Sequence, residues 1–217
     1  MGITIPAGPG QTLITGEVRP MLRNGAQGRK EKAMFIQTEH TPNPATLKFL
    51  PGCPVMESGT ANFPSSGEAQ NSPLAMGLFG VDGVSGIFLG SDFITVTKTD
   101  DKDWEILKPQ ILGSIMDHFQ SGKAVMTESA EQGEAEESKT ENDLDKKIKE
   151  LIDTRVRPAV AQDGGDIIYK GFEDGIVYLH MQGACAGCPS STATLKHGIE
   201  NMLKHYIPEV TEVRAID

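Results

Sequence analysis

The chain has 217 residues, of which 38% are hydrophobic and 23% are charged, and its formal net charge is −10. This length accommodates two small domains with modest cores, and the composition is ordinary for a soluble protein. The negative charge argues against nucleic acid as a partner, because phosphate binding needs a basic face. No apolar run approaches the roughly 20 residues of a membrane span, so no membrane partner is expected. Three cysteines, two of them in a Cys-x-x-Cys motif, favour a reducing compartment over a secreted disulfide framework.

Residues 1–33 lack the continuous apolar core of a secretory signal, and they contain several glycines but no serine. A mitochondrial transit peptide is usually amphipathic and rich in serine, so this stretch is a poor match to one. We therefore predict a disordered extension at residues 1–33, with Met34 as a natural start for the folded protein.

Residues 34–120 are predicted to form one compact α+β domain: two strands, a helix, two strands and a second helix. Turn signals at residues 41–44 and 51–52 separate the first segments. The second helix carries an apolar stripe from Trp104 to Phe119, with Asp103 as its cap and Pro109 as a kink or as the true start. The other predicted elements are strands at 34–38, 46–50, 84–89 and 93–97 and a helix at 73–79.

Residues 121–143 are polar and rich in glutamate, and such a stretch buries too little apolar surface to fold. We predict a flexible acidic linker here. The second domain, residues 144–217, is then predicted as α-β-β-α-β. Its first helix is kinked or ended by Pro158, and a turn at Glu173-Asp174-Gly175 joins the first two strands. The predicted strands are 166–171, 176–181 and 210–215, and the second helix carries its apolar stripe over 195–206.

Two thiols, Cys185 and Cys188, lie where the second strand of this domain gives way to a helix, in the run Gly-Ala-Cys-Ala-Gly-Cys-Pro-Ser-Ser. Gly187 between them allows unusual φ values, and Pro189 suits the first helical turn. Because the thiols face a helix N-terminus, we expect its dipole to lower their pKa values and to favour an anionic ligand. The spacing predicts that both sulfurs bind one soft metal centre.

Two thiolates are half of the ligand set that an iron–sulfur cluster or a structural zinc ion normally needs. The third cysteine, Cys53, lies far upstream in a Pro-Gly loop, and we interpret it as a small loop residue rather than as a third ligand or a resolving thiol. We therefore predict that a second copy of the chain completes the site. Such an exposed, shared site suits a carrier better than a permanent redox centre.

The Cys-x-x-Cys run, preceded by Asp163-Gly164-Gly165-Asp166, resembles the C-terminal domain of NifU-like proteins, the Nfu-type iron–sulfur scaffolds. Upstream, Phe-Ile-Gln-Thr-Glu-His-Thr-Pro-Asn-Pro and residues 47–52 and 93–98 resemble the Nfu N-terminal domain. The resemblance implies that Cys185 and Cys188 of two protomers hold one [4Fe–4S] cluster. It further implies a chain that is not an enzyme, that accepts clusters from upstream donors and that passes them to apo iron–sulfur client proteins. The first domain is expected to recognise clients or to add stability.

The motif leaves alternatives open. The spacing alone is compatible with a [2Fe–2S] cluster or adventitious zinc, and zinc-mediated dimerisation would be a purely structural role. A thiol–disulfide oxidoreductase could use the same cysteines, but such sites commonly carry a proline between the two, and here the proline follows the second. We interpret His180 as a strand residue rather than a labile ligand, and Asp163 and Asp166 as turn and capping residues rather than an acid–base pair. The expected location is the bacterial cytoplasm, with the mitochondrial matrix as the alternative.

Overall fold

The computed structural model of the chain describes residues 35–127, 143–187 and 189–216, without the side chains of residues 189–191. The described residues belong to one compact unit, Met34–Asp217. They form a five-stranded sheet and a three-stranded sheet, each with its own hydrophobic core. The predicted α+β class with two domains is therefore confirmed. We call residues 35–127 the first domain and residues 143–216 the second domain.

The predicted extension at residues 1–33 and most of the predicted linker at 121–143 lie outside the described residues. The two ends of the linker segment are described: Ser121 closes one helix, and Asp143 opens the next. Within the ranges that the structure describes, no helix is both long enough and apolar enough to cross a bilayer.

The first domain is an antiparallel sheet with two helices packed on one of its faces. Its strands are ordered β1-β2-β5-β4-β3, so the chain weaves through the sheet rather than adding strands in sequence. The hydroxyl of Ser72 caps the first helix by accepting the amide of Ala75. In chain order the elements are β1 (Gln37–His40), β2 (Thr46–Leu50), β3 (Ala61–Phe63), α1 (Pro73–Phe79), β4 (Val84–Leu89), β5 (Ile94–Lys98) and α2 (Trp104–Ser121).

The first domain departs from the sequence prediction at β1, which covers Gln37–His40 instead of residues 34–38, at β3 and in α2. The prediction lacks β3, because a strand of three residues is too short to show a two-residue period. Helix α2 begins at Trp104, so Pro109 is not its true start but lies inside it, where it removes one amide donor. Asp103 occupies the predicted cap position, but its side chain makes no capping hydrogen bond.

The two faces of the five-stranded sheet carry different side chains, because successive strand residues point to opposite sides. The register places Lys48, Thr95 and Phe88 side by side on the face opposite the helices, on strands β2, β5 and β4. We call these three residues the outer row. All three are buried, although they point away from the helices. The strand residues that pack against α1 and α2 are Leu47, Phe49, Ile87, Leu89, Ile94 and Val96.

His118, near the end of α2, makes the stability of the first domain depend on pH. Its side chain is buried, and its Nε2 has no hydrogen-bond partner among the described residues. Burial lowers the pKa of His118 below its ordinary value, and the charge of Lys123 lowers it further. The unfolded chain therefore takes up a proton that the folded chain resists, so stability falls as the pH falls through about 6.5.

We expect the thermal unfolding midpoint of the wild-type protein to drop between about pH 7 and about pH 5. The drop should be smaller in His118→Leu, because leucine cannot bind the proton in either state. The exposed His197 provides the control, and His197→Leu should keep the wild-type pH dependence. An unchanged drop in His118→Leu would assign the pH dependence to other groups.

The second domain is a helical segment followed by a hairpin, a crossover helix and a parallel third strand. β6 and β7 pair antiparallel, and β8 pairs with β7 in parallel after the long helix α5. The predicted order α-β-β-α-β is thus observed. The elements are α3 (Asp143–Leu151), a π-helical turn (Ile152–Val156), α4 (Arg157–Gln162), β6 (Gly165–Glu173), β7 (Ile176–Gly183), α5 (Pro189–Tyr206) and β8 (Glu212–Ile216).

Local sequence explains the two irregular points of this domain. Asp174 and Gly175 have φ values of +51° and +80°, as a two-residue hairpin turn requires, and the predicted turn is confirmed. Pro158 neither ends nor interrupts the helical path. It lies in the first turn of α4, immediately after the π-helical turn, where its missing amide donor is tolerated.

Candidate metal centre

Cys185 lies in the loop between β7 and α5, which we call the cysteine loop (residues 184–188). Strand β7 ends at Gly183 in a left-handed conformation with a φ of +61°. Gly187 is exposed and has a φ of +80°, so the sequence prediction of an unusual backbone conformation at this glycine is confirmed. Helix α5 begins at Pro189, also as predicted. The strand-to-helix junction therefore places the loop at one end of the second domain.

Cys188 lies outside the described residues, so its role as the second ligand stays a prediction. Cys185 carries a free thiol, the soft donor that iron–sulfur clusters and zinc prefer. Among the side chains that the structure describes, no three His, Cys, Asp or Glu residues come together in a way that could hold a metal ion. The donor chemistry of the loop thus fits a thiolate-bound cluster whose other ligands come from elsewhere.

The electrostatic surroundings of Cys185 differ from the sequence prediction. The side chain is only 5% exposed, and burial raises the pKa of the Cys185 thiol to about 12, with the charges of Asp163 and Asp166 adding to the effect. The predicted lowering of this pKa is therefore wrong for the chain by itself, since desolvation and two negative charges outweigh the dipole of α5. A bound metal ion would supply a positive charge that favours the thiolate over the thiol, because a thiol that coordinates a metal ion is deprotonated.

The turn of residues 163–166 packs against the cysteine loop, backbone against backbone. Gly164 has a φ of +83°, and its carbonyl oxygen accepts the amide of Ala184 at 3.1 Å. A Cβ on Gly165 would lie 2.5 Å from Sγ of Cys185, which is far inside van der Waals contact. Gly165 is therefore required by the close approach of the turn to the thiol, and Gly164 by its left-handed backbone conformation.

We expect Gly165→Ala to lower the free energy of unfolding by about 1–3 kcal/mol, the usual cost of overpacking a well-packed site. The added methyl group should also displace the Cys185 thiol and weaken metal loading. Gly198→Ala in α5 is the matched control, because a Cβ there meets no atom within 4 Å and should raise stability by about 0.5–1 kcal/mol. Urea unfolding of the two variants measures the contrast, and equal midpoints would refute the steric argument.

Asp166 is a buried carboxylate in an ion pair that the sequence does not reveal. Its carboxylate is 3% exposed and accepts Nε and Nη2 of Arg157, each at 2.8 Å. It also accepts the amide of Ile167 and, from the first domain, the hydroxyl of Thr60 at 2.9 Å. The interpretation of Asp166 as a turn residue is thus incomplete, because the carboxylate also binds α4 to β6 beside the cysteine loop.

The structure places the remaining candidate residues on β7 and in the first domain. His180 is on β7, and its Nδ1 lies 3.2 Å from the carbonyl oxygen of Ile216 on β8. Met181, the next residue, points to the opposite sheet face and packs in the core with Cys185. Cys53 lies half-buried in the segment between β2 and β3, and its interpretation as a loop residue stays a prediction.

The first domain reaches the cysteine loop, which the sequence analysis missed. Asn43 donates its side-chain amide to the carbonyl oxygen of Ala186 at 2.9 Å, between the two cysteines of the motif. A signal was present in β4, where Ile87-Phe88-Leu89 is a continuous apolar run. Such a run is typical of a strand buried on both faces, and the second domain covers the second face.

Both domains match family models. Residues 36–122 match the N-terminal model of scaffold protein Nfu/NifU, and residues 148–214 match the NifU-like domain. The human protein named NFU1 iron-sulfur cluster scaffold homolog, mitochondrial, is 55% identical over 184 residues, which cover 84% of this chain and 72% of the human one. The chain belongs to the Nfu family. The resemblance inferred from the cysteine motif and from the N-terminal run is confirmed in both parts.

Two further relatives support the Nfu assignment. NifU-like protein 4, mitochondrial, from Arabidopsis thaliana is 53% identical, with 86% of this chain and 67% of the relative covered. The Drosophila ananassae protein named NFU1 iron-sulfur cluster scaffold homolog, mitochondrial, is 47% identical, with 94% and 70% covered. The NifU-like match includes Cys185, Cys188 and the Arg157–Asp166 pair, so the whole candidate centre lies inside it.

Proposed function

We propose that this Nfu-family chain carries iron–sulfur clusters: two protomers hold one [4Fe–4S] cluster between their cysteine loops and pass it to apo-proteins. The observation that carries the proposal is the free Cys185 thiol at the β7–α5 junction, within the segment that matches the NifU-like domain. The cluster is cargo in this account. The chain contributes the thiolates of Cys185 and Cys188 and the fold that presents them.

The ligand count supports a shared site. A cubane cluster normally takes four thiolates, and the cysteine motif of one chain offers two. Cys53, the third cysteine, belongs to the first domain and is far from the motif in sequence. A second copy of the chain is therefore the simplest source of the other two ligands. The cluster-bridged homodimer follows from this count.

Cargo transfer requires only ligand exchange. A client thiolate attacks an iron atom, a new iron–sulfur bond forms, and the bond to Cys185 or Cys188 breaks, with no change in oxidation state. A ligand shell divided between two chains is easier to dismantle than one enclosed in a single core. No proton has to be removed by a general base, so the role requires a carrier and not an enzyme.

The partners are apo iron–sulfur proteins that receive the cluster and an upstream donor that supplies it. We infer the mitochondrial matrix as the site of action in place of the bacterial cytoplasm, because the human, Arabidopsis and Drosophila relatives are all named mitochondrial. Fractionation of cells that express the tagged chain tests this location.

Anaerobic cluster transfer tests the proposed function. The chain is reconstituted with iron and sulfide, freed of excess reagent and mixed with the apo form of a [4Fe–4S] enzyme. We expect the enzyme to regain activity as the absorption of the carrier falls. The transfer should be faster than from an equal amount of free iron and sulfide. Equal rates from both sources would contradict a carrier role, since free ions would then be sufficient.

A thiol–disulfide oxidoreductase is the competing proposal from a different class. Thiol–disulfide sites of this kind commonly carry a proline between the two cysteines, whereas here Pro189 follows Cys188. We therefore expect no reduction of insulin disulfides above the rate with dithiothreitol alone. A colourless protein that accelerates this reduction would favour the oxidoreductase.

A further inference from the structure

The outer row of the first domain contacts residues 161–164 of the second domain, beside the cysteine loop. Thr95 donates its hydroxyl to the carbonyl oxygen of Gly164 at 2.6 Å. Lys48 donates Nζ to the carbonyl oxygens of Ala161 and Gln162, at 3.2 and 2.9 Å. Because these bonds satisfy their polar groups, Lys48 and Thr95 can be buried, and they are only 7% and 1% exposed.

Apolar contact closes the centre of the same interface. The ring of Phe88 is 1% exposed and lies on the outer row, away from the helices. A Cβ on Gly183, the last residue of β7, would lie 2.9 Å from Cγ of this ring. The glycine therefore lets the aromatic ring pack directly on the backbone that leads into the cysteine loop.

Five hydrogen bonds between described residues of the two domains have their donors on the first domain. Asn43, Lys48, Thr60 and Thr95 of the first domain donate, and carbonyl oxygens or the Asp166 carboxylate of the second domain accept. The accepting groups lie within residues 161–166 and at Ala186, the segments that surround Cys185. A donor surface on one domain thus matches an acceptor surface on the other, which is the complementarity expected of a specific interface.

We propose that the outer row and Asn43 form a docking surface for residues 161–166 and Ala186 of the second domain, and that docking prevents cluster assembly. This inference rests on the proposed function, because it concerns the same two cysteines. A second protomer must reach the cysteine loop from outside the chain. In the docked state, Asn43 binds the carbonyl oxygen of Ala186, and the Phe88 ring covers Gly183, the last residue of β7 before the loop. The first domain must therefore move away before two loops share a cluster.

Docking and cluster sharing then compete for one surface. Because coupling between two binding events is reciprocal, a cluster-bridged dimer should hold its first domains undocked, and weakened docking should favour loading. The first domain thus regulates access to the thiols.

Thr95→Arg tests the proposal. The long cation would meet Lys48 and the turn of residues 163–166, while the first domain keeps its core, because position 95 points away from the helices. Thr97→Arg is the matched control: Thr97 lies on the same strand and the same face, but it is half-exposed, and no hydrogen bond from its side chain to the second domain is present in the described ranges. Circular dichroism checks that both variants fold.

Small-angle X-ray scattering and iron loading give two separate readouts on the full chain. We expect Thr95→Arg to have a larger radius of gyration than the wild type and Thr97→Arg to match the wild type. Loading under anaerobic iron and sulfide should be about tenfold faster in Thr95→Arg than in the wild type. This factor is expected when about one tenth of the wild-type molecules are open and nearly all of the variant molecules are. An unchanged radius, or an expanded chain that loads at the wild-type rate, would overturn the inference while the carrier function stood. Failure of every protein to load iron would instead overturn the carrier function and the inference with it.

Asn43→Asp provides a second variant in case Thr95→Arg does not fold. Aspartate keeps the oxygen that accepts the amide of Ala45 within the first domain. It loses the donor to Ala186 and places a carboxylate against that carbonyl oxygen. We expect the same direction of change in radius and loading rate, and wild-type behaviour in both readouts would overturn the inference.

Discussion

Replacing Cys185 with serine should abolish iron loading and the cluster-bridged dimer together. The hydroxyl of serine is a poor ligand for a soft metal centre, so each protomer loses one of its two thiolates. We expect iron to fall from about four atoms per dimer to background. Iron analysis and size-exclusion chromatography after anaerobic reconstitution measure both effects in one sample.

Cys53→Ser is the matched control for this experiment. It removes a thiol of the same kind from the first domain, and both the iron content and the dimer should persist. Cys185→Ser protein that held wild-type iron would contradict the assignment of Cys185. Loss of iron in Cys53→Ser would show instead that the third cysteine is a ligand.

Removal of Arg157 should have the second largest effect, on stability. Arg157→Met leaves the Asp166 carboxylate buried and without its cation, and we expect the free energy of unfolding to fall by about 2 kcal/mol. This loss is smaller than for a fully buried pair, because the Arg157 side chain is 38% exposed and because Thr60 and the Ile167 amide still donate to the carboxylate. Urea unfolding followed by circular dichroism measures the change.

Arg214→Met provides a control with the same substitution and a similar two-bond pair. Arg214 binds both carboxylate oxygens of Glu212, at 3.1 and 2.9 Å, but on the surface of β8. The Glu212 side chain is 38% exposed, against 4% for Asp166. Because water screens an exposed pair, the loss should be far smaller than in Arg157→Met. Equal losses in the two variants would mean that burial of the carboxylate does not decide the cost.

The sequence predicts those parts of the fold that short-range rules determine. Asp174-Gly175 produces the hairpin turn, Pro189 opens α5, and Gly187 takes a left-handed conformation, each for a local steric reason. The α-β-β-α-β order of the second domain follows from hydrophobic periodicity. The cysteine motif also identifies the family without any coordinates.

Features that depend on distant neighbours were not predicted. Arg157 and Asp166 carry no pattern that marks them as a pair, since their contact depends on how α4 packs on β6. The pKa of Cys185 was predicted in the wrong direction, because the helix N-terminus is visible in the sequence and the burial of the thiol is not. The burial of Lys48 also depends on the other domain, because a lysine in an alternating strand is typical of a solvated face.

Native mass spectrometry of the reconstituted chain, prepared without any added thiol, shows whether one chain or two hold the cluster. We expect iron and sulfide only on a species of two chains, with the mass of one cubane added. Monomer should carry none. A single chain that retained a complete [4Fe–4S] cluster by itself would rule out the shared site, because one cysteine loop would then not need a second chain.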